Sequence, residues 1–347
     1  METPGSAVPV ARYWHALDDG RLQCDLCPRT CRLREGQRGF CFVRANEGGR
    51  LVLTTWGRSS GLCADPIEKK PLYHFLPGTS VLSFGTAGCN LACRYCQNWE
   101  LSHARSASVS AVEAEPEAVA SAAAGAGCPS VAFTYNDPVV FLEYAVDVAR
   151  ACRARHVRTV AVTNGYLCAE PRRELFAHLD AANVDLKAFT ERFYRDLTGG
   201  HLRPVLDTLE YAVHETDVWI ELTTLLIPGH NDDPREIDAL TRWVVGHLGP
   251  HVPVHFTAFH PAGRMRDVPP TPPSTLQRAR HIGRANGLRT VYTGNVVDPE
   301  GSRTVCPWCG STLIERSGFA VVRRALADDG SCERCGATID GVFEPVW

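Results

Sequence analysis

The sequence predicts an α/β protein built on a parallel sheet, and three observations carry that prediction. Seven short runs rich in Val, Thr, Ile and Phe recur between residues 79 and 296. They are nearly continuous in apolar character, as strands covered on both faces are. Stretches of helical spacing separate them, which is the pattern of repeated βαβ units. With six or seven repeats, a partial or complete TIM-like (β/α) barrel fits better than a flat doubly wound sheet.

The expected strands are SVLSFGT (80 to 86), SVAFTY (130 to 135), TVAVTNG (159 to 165), ANVDLKAF (182 to 189), DVWIELTTLLI (217 to 227), VPVHFTAF (252 to 259) and RTVYTG (289 to 294). Helices are expected near 113 to 124, 139 to 155, 171 to 179, 203 to 215, 234 to 247 and 274 to 286. Asn136-Asp137-Pro138 starts the second of these well, because Asp caps free N–H groups and Pro tolerates the first turn. In such folds the working residues gather where strands end. Three cysteines follow the first strand, Asn136 and Asp137 end the second, Thr163 and Asn164 the third, Asp185 and Lys187 the fourth, and His260 follows the sixth.

Composition narrows the setting. The chain has 347 residues, 44% hydrophobic and 22% charged, with a formal net charge of −3. One large domain with smaller appendages is expected: a Cys-rich module over 1–75, the barrel over 76–296 and a further module over 297–347. No apolar run approaches the roughly 18 residues that span a bilayer. The first twenty residues show no signal-peptide pattern, so a cytoplasmic setting without membrane contact is expected. No basic stripe marks a nucleic-acid partner. Only Lys69, Lys70 and Lys187 are lysines, which makes each one mildly informative.

Fifteen cysteines, with several CxxC spacings, point to metal ligation more than to disulfides. Cys63, Cys128, Cys152 and Cys168 are scattered and read as small buried apolar side chains. The others form three sets. Cys89, Cys93 and Cys96 share one loop, GCNLACRYCQNW, with no fourth cysteine beside them. Three thiolates hold three irons of a cubane [4Fe–4S] cluster and leave one iron open, whereas a structural zinc or an electron-transfer cluster wants four ligands. Gly85 and Gly88 let the chain wrap closely around such a core.

This C-x3-C-x2-C loop resembles that of radical S-adenosylmethionine (radical SAM) enzymes. The resemblance extends along the chain and is nearest to the AmmeMemoRadiSam family, related to the activating enzymes of pyruvate formate-lyase. Its carriers are CDLCPRTCRLREGQRGFCFVR (24 to 44), DPIEKKPLYHF (65 to 75), GCNLACRYCQNWELS (88 to 102), TYNDP (134 to 138), TNGYL (163 to 167), DLKAF (185 to 189), LIPGHND (226 to 232) and YTGNV (292 to 296). It implies that SAM chelates the open iron through its amino and carboxylate groups. It also implies reductive cleavage to methionine and a 5′-deoxyadenosyl radical that takes hydrogen from a protein or bulky substrate. A reductant such as flavodoxin or ferredoxin is implied as well.

By the same resemblance Asn98 contacts SAM, Lys187 pairs with its carboxylate, and Asp185 partners Lys187. Asn136 and Asp137 hold the position that meets the SAM amino group, although helix capping accounts for Asp137 equally well. Thr163, Asn164 and His260 face the same rim. Val162 departs from the pattern, standing where the formate-lyase activases carry an acid near a cation. The family name implies Memo-like and AMMECR-like associates, which no residue here displays.

Cys306-x2-Cys309 and Cys332-x2-Cys335 resemble the two knuckles of a zinc ribbon, with LIER and FAVV as short strands between them. Cys24, Cys27, Cys31 and Cys41 make a four-ligand set in which zinc and an auxiliary iron–sulfur cluster both fit, zinc being favoured. One or two zinc sites are therefore expected. Two other functions compete with the leading one: a glycyl-radical activating enzyme, and a non-catalytic iron–sulfur or zinc scaffold or electron carrier.

Overall fold

The computed structural model describes residues 9–104, 112–327 and 329–343, so the outermost residues expected in both terminal modules lie outside the described residues. Seven parallel strands form one sheet: Ser80–Phe84, Ser130–Phe133, Arg158–Thr163, Ala181–Asp185, Trp219–Leu226, Val254–Ala258 and Val291–Gly294. Each is hydrogen-bonded to the next in chain order. Every residue of Ser130–Phe133 and Val254–Ala258 is buried, which explains why these runs lack the polar alternation of a one-sided sheet.

The order has no reversal, so the sheet is not doubly wound. It is also not closed by hydrogen bonds into a complete ring. The strand Cys63–Pro66 runs antiparallel to Ser80–Phe84 and occupies one edge, and Val291–Gly294 forms the other. Cys63–Pro66 thus belongs to the central sheet, although it falls inside the segment expected as the N-terminal module. There Cys63, at the start of an edge strand, is exposed, contrary to the expected burial; Cys168 is half-buried, and Cys128 and Cys152 are buried as expected.

Among the described residues six helices of eight residues or more follow the strands: Pro116–Gly125, Leu142–Arg153, Ala169–Phe176, Arg203–His214, Pro234–Trp243 and Pro273–Ala285. Two starts use the expected chemistry: Asp137 accepts a bond from Val139 N and caps the 3-10 turn Pro138–Phe141 that leads into Leu142–Arg153, and Asp233 accepts one from Arg235 N with Pro234 beside it. Among the described residues no helix is long and apolar enough to cross a membrane.

Two buried arginines fasten the terminal modules. Arg44, on the hairpin Arg44–Glu47/Arg50–Leu53, pairs with Glu143 and donates to the carbonyls of Val140 and Arg12. Arg316 lies in the three-stranded C-terminal sheet. It donates to Tyr73 O at 2.8 Å and Thr304 Oγ1 at 2.9 Å, lies 3.4 Å from Glu68, and stacks over the Tyr73 ring. Both charges are shielded from water, so each needs its full set of partners.

Under the sheet, Glu221 is the hub. Its carboxylate accepts bonds from Tyr73 N at 3.0 Å, His74 N at 2.7 Å and Trp219 Nε1 at 3.1 Å, and lies 2.6 Å from His255 Nε2. Burial alone would raise this carboxyl, but the bond and charge of His255, together with His74, hold it below the usual range. A carboxyl depressed on folding contributes stability at every pH above its unfolded value and loses it as the pH falls through the folded value. Glu221→Gln is expected to cost about 3–5 kcal/mol at pH 7 by urea denaturation. Its stability should also decline less than that of the wild type when the pH is lowered from neutrality into the acid range.

Candidate active site

The cysteine loop begins where the first parallel strand ends, and the space available there dictates the residues. A Cβ on Gly85 would stand 2.2 Å from Thr134 O and 2.7 Å from Asn136 Oδ1. Gly88 has φ +84°, and a Cβ there would stand 2.1 Å from the Cys41 carbonyl oxygen. No larger residue fits either place without moving backbone. Asn136, from the end of the second strand, then pins the loop. Its Oδ1 accepts from Thr86 N at 2.9 Å, and its Nδ2 donates to Gly88 O at 2.9 Å, Thr86 Oγ1 at 3.1 Å and Ala87 O at 3.2 Å.

The neighbouring rim residues continue this frame. Asp137 accepts from Asn164 N at 2.7 Å, Thr163 Oγ1 at 3.0 Å and Val139 N at 3.1 Å. Asn164 donates to Asn90 Oδ1 at 2.8 Å and approaches Cys89 Sγ at 3.9 Å. The polar atoms of Asn136, Asp137, Thr163 and Asn164 are thus occupied within the protein, and the geometry gives these residues a positioning role. Asp137 makes the capping bond that its place before Pro138 suggested.

Cys89, Cys93 and Cys96 line one cavity of about 320 Å³, together with Asn98, Asn136, Asp137, Val162, Asn164, Asp185 and Lys187. Lys187 Nζ donates to Asp185 Oδ2 at 2.8 Å. Burial would lower the lysine's pKa, but Asp185 and Cys93 hold it well above the usual value, so Lys187 is a cation facing the cavity. Asn98 Nδ2 donates to Tyr135 O at 2.7 Å. His260 is exposed, bonds only to Asn295 O at 3.3 Å, and is not brought to the lining; nor is Thr163. Val162 faces the cavity and supplies no carboxylate.

The lining also contains residues that the sequence reading did not assign to the site, among them Lys69, Thr223 and Asn295. Lysine scarcity was a usable signal for Lys69, which pairs with Asp65 at 2.8 Å. Thr223 Oγ1 is buried without a hydrogen-bond partner in the protein, which gives this wall a polar group to offer a ligand.

The donor set fits an iron–sulfur cluster. Burial pushes the Cys89 thiol well above its usual value and Cys93 to about 11, with Lys187 opposing the shift at Cys93. Left to themselves these sulfurs stay protonated; a soft metal centre that binds thiolate supplies the compensating energy. At the other end of the chain, the sulfurs of Cys306, Cys309, Cys332 and Cys335 lie within 4.8 Å of one another and could hold a metal ion. Cys24, Cys27, Cys31 and Cys41 line a separate, small cavity.

Residues 84–240 match the family model of the radical SAM superfamily. Over 334 residues, 96% of this chain and 99% of the relative, the sequence is 39% identical to an uncharacterized protein of Methanocaldococcus jannaschii. The chain belongs to the radical SAM superfamily. It is therefore an enzyme of the class that cleaves SAM reductively, and the family implies a [4Fe–4S] cluster and SAM as its cofactors. It is also 27% identical over 132 residues to the isethionate sulfite-lyase activating enzyme of Desulfovibrio desulfuricans, covering 38% of this chain and 42% of that one. With the pyruvate formate-lyase-activating enzyme of Clostridium pasteurianum it shares 23% identity over 167 residues, 47% of this chain and 68% of the relative. The fold matches the crystal structure of a radical SAM methyltransferase from Sphaerobacter thermophilus with TM-score 0.51 and 19% identity, over 69% of this chain and 71% of that one.

Because Asn136 holds the loop on which all three sulfurs depend, Asn136→Ala should destabilise the protein by about 2–4 kcal/mol in anaerobic denaturation. The same variant should weaken iron retention against a chelator by roughly 10-fold.

Proposed function

We propose that this enzyme holds its [4Fe–4S] cluster on Cys89, Cys93 and Cys96 and binds SAM in the adjoining cavity, then takes hydrogen from a protein or other bulky substrate. The observation that carries the reading is the convergence of three cysteines and the Lys187–Asp185 pair on one cavity. The cluster, when bound, supplies the electron and the open iron that SAM cleavage requires.

The chain's own residues do the rest. Lys187 offers a fixed ammonium to the SAM carboxylate, and Asp185 keeps it aimed across the cavity. Asn98, held by Tyr135 O, offers its remaining amide atoms to SAM. Asn136, Asp137, Thr163 and Asn164 act at one remove by fixing the loop and the strand ends, and His260 belongs to the outer rim. Lys69 and Asn295 line the cavity apart from the cysteine loop and are assigned to the substrate.

The uninterrupted strand order supports reading the sheet as a partial (β/α) barrel over 76–296, flanked by modules at 1–75 and 297–347. Zinc is the metal proposed for the C-terminal cysteines: Cys306 and Cys335 sulfurs stand 3.7 Å apart, as do those of Cys309 and Cys332. A tetrahedral zinc with ~2.3 Å bonds asks for roughly that spacing. The exposed Trp308 and Phe319 of this module suit a face that meets a protein substrate. A reductant of the flavodoxin or ferredoxin kind, a cytoplasmic setting and assignment to the AmmeMemoRadiSam group complete the reading. Similarity to two activating enzymes favours a second reading, in which the substrate is a glycyl-radical protein.

Anaerobic protein reduced with dithionite should convert SAM to methionine and 5′-deoxyadenosine, measured by chromatography. Cys93→Ala should abolish the products, and Lys187→Ala should weaken SAM binding by roughly 10- to 100-fold. Absence of both products from cluster-loaded wild-type protein would favour the scaffold or electron-carrier reading.

A further inference from the structure

Three sets of cysteines can be compared inside one chain, and the comparison separates them by geometry. In the C-terminal set all four sulfurs stand within 4.8 Å of one another, already at the spacing around a single ion. Among the described residues no other group of three or more potential metal ligands reaches that closeness. Neither the three cysteines of the active-site loop nor the N-terminal four do so, although each set lines one cavity. Sulfurs around a cubane stand further apart than sulfurs around one ion, since each binds a different corner.

We propose that Cys24, Cys27, Cys31 and Cys41 hold a second iron–sulfur cluster of the [4Fe–4S] kind, in place of the zinc that the sequence favoured. The cavity between them, about 20 Å³, admits a water-sized sphere. A tetrahedral zinc site, with sulfurs roughly 3.8 Å apart, leaves no such room. Gly39 lies against the site: a Cβ there would be in ordinary contact, 3.8 Å from both Cys31 Sγ and Cys41 Sγ.

The surroundings are built for thiolates. Phe40 N donates to Cys31 Sγ at 3.4 Å. Backbone N–H groups of Leu26, Arg29, Val43 and Arg44 serve Cys24, Cys27 and Cys41. Such bonds to cluster sulfur are the usual second layer of iron–sulfur sites. The Arg44 guanidinium, fully buried, adds positive charge beside Cys24 and Cys41. The site also touches the active-site loop directly. Asn90, next to Cys89, lines the N-terminal cavity and accepts a bond from Arg29 Nε, and Gly88 packs on the Cys41 carbonyl.

The test uses the full chain, purified without oxygen, incubated with ferrous iron and sulfide, and desalted. The triple variant Cys89→Ala/Cys93→Ala/Cys96→Ala should keep about four irons and about four sulfides per chain, with the Mössbauer signature of a cubane, and about one zinc. Residual iron below about two per chain, or iron without that signature, would overturn the proposal. Should the triple variant fail to fold, Cys27→Ser/Cys41→Ser decides: iron should fall from about eight to about four per chain while zinc stays at about one. Iron equal to the wild type's, or zinc falling with it, would overturn it.

Discussion

The grip of Asn136 on the cysteine loop is the constraint from which the rest of the active site follows. One carboxamide takes Thr86 N and three acceptors on Thr86, Ala87 and Gly88. The groups on Thr86 and Gly88 are buried, so for them water is no ready alternative partner. This fixes the direction in which the chain leaves the first strand, and with it where Cys89, Cys93 and Cys96 emerge. Gly85 is required because the loop passes so near Thr134 that a methyl group would overlap its carbonyl. The second strand end is therefore a clamp, and Asp137 extends it to the third strand through Asn164 N and Thr163.

Around the clamp, charge is distributed with economy. Lys187 is the cation set on the cavity wall beside the cysteines, and Asp185 both neutralises and aims it. Buried ionic hubs away from the cavity, Arg44 with Glu143 and Arg316 with Glu68, tie flanking segments to the sheet. Such pairs add little net stability compared with apolar packing, but breaking one is costly, so they fix the placement of what they join.

Much of this was legible in the sequence, for physical reasons. Five of the seven parallel strands fall inside the apolar runs read for them, and the other two begin one residue earlier, because strands covered on both faces cannot hide their composition. The three-cysteine loop was legible because its spacing has few chemical uses. What the sequence could not give is which way a rim side chain turns. Asn136 and Asp137 were expected at the SAM amino group, with helix capping an alternative for Asp137; both line the cavity, and their polar atoms also bond within the frame. Thr223 and Asn295 reach the cavity from strands far along the chain, a proximity that only the register of the sheet creates. The edge position of Cys63–Pro66 was hidden for a similar reason, since an antiparallel edge strand of four residues carries almost no periodic signal. The N-terminal cysteines show the limit most sharply: spacing admitted two metals, and only the placement of the sulfurs in the fold bears on the choice between them.

The central claim is that the three sulfurs of the active-site loop would hold a cluster to which SAM binds in the cavity that Lys187 also lines. The most direct measurement is the EPR spectrum of the dithionite-reduced cluster before and after addition of SAM, in a Cys27→Ser/Cys41→Ser background so that one cluster is observed. The account predicts that the g-values shift on SAM addition and that Lys187→Ala raises the SAM concentration needed for the shift. A reduced cluster signal that SAM leaves unchanged at saturating concentration would contradict it.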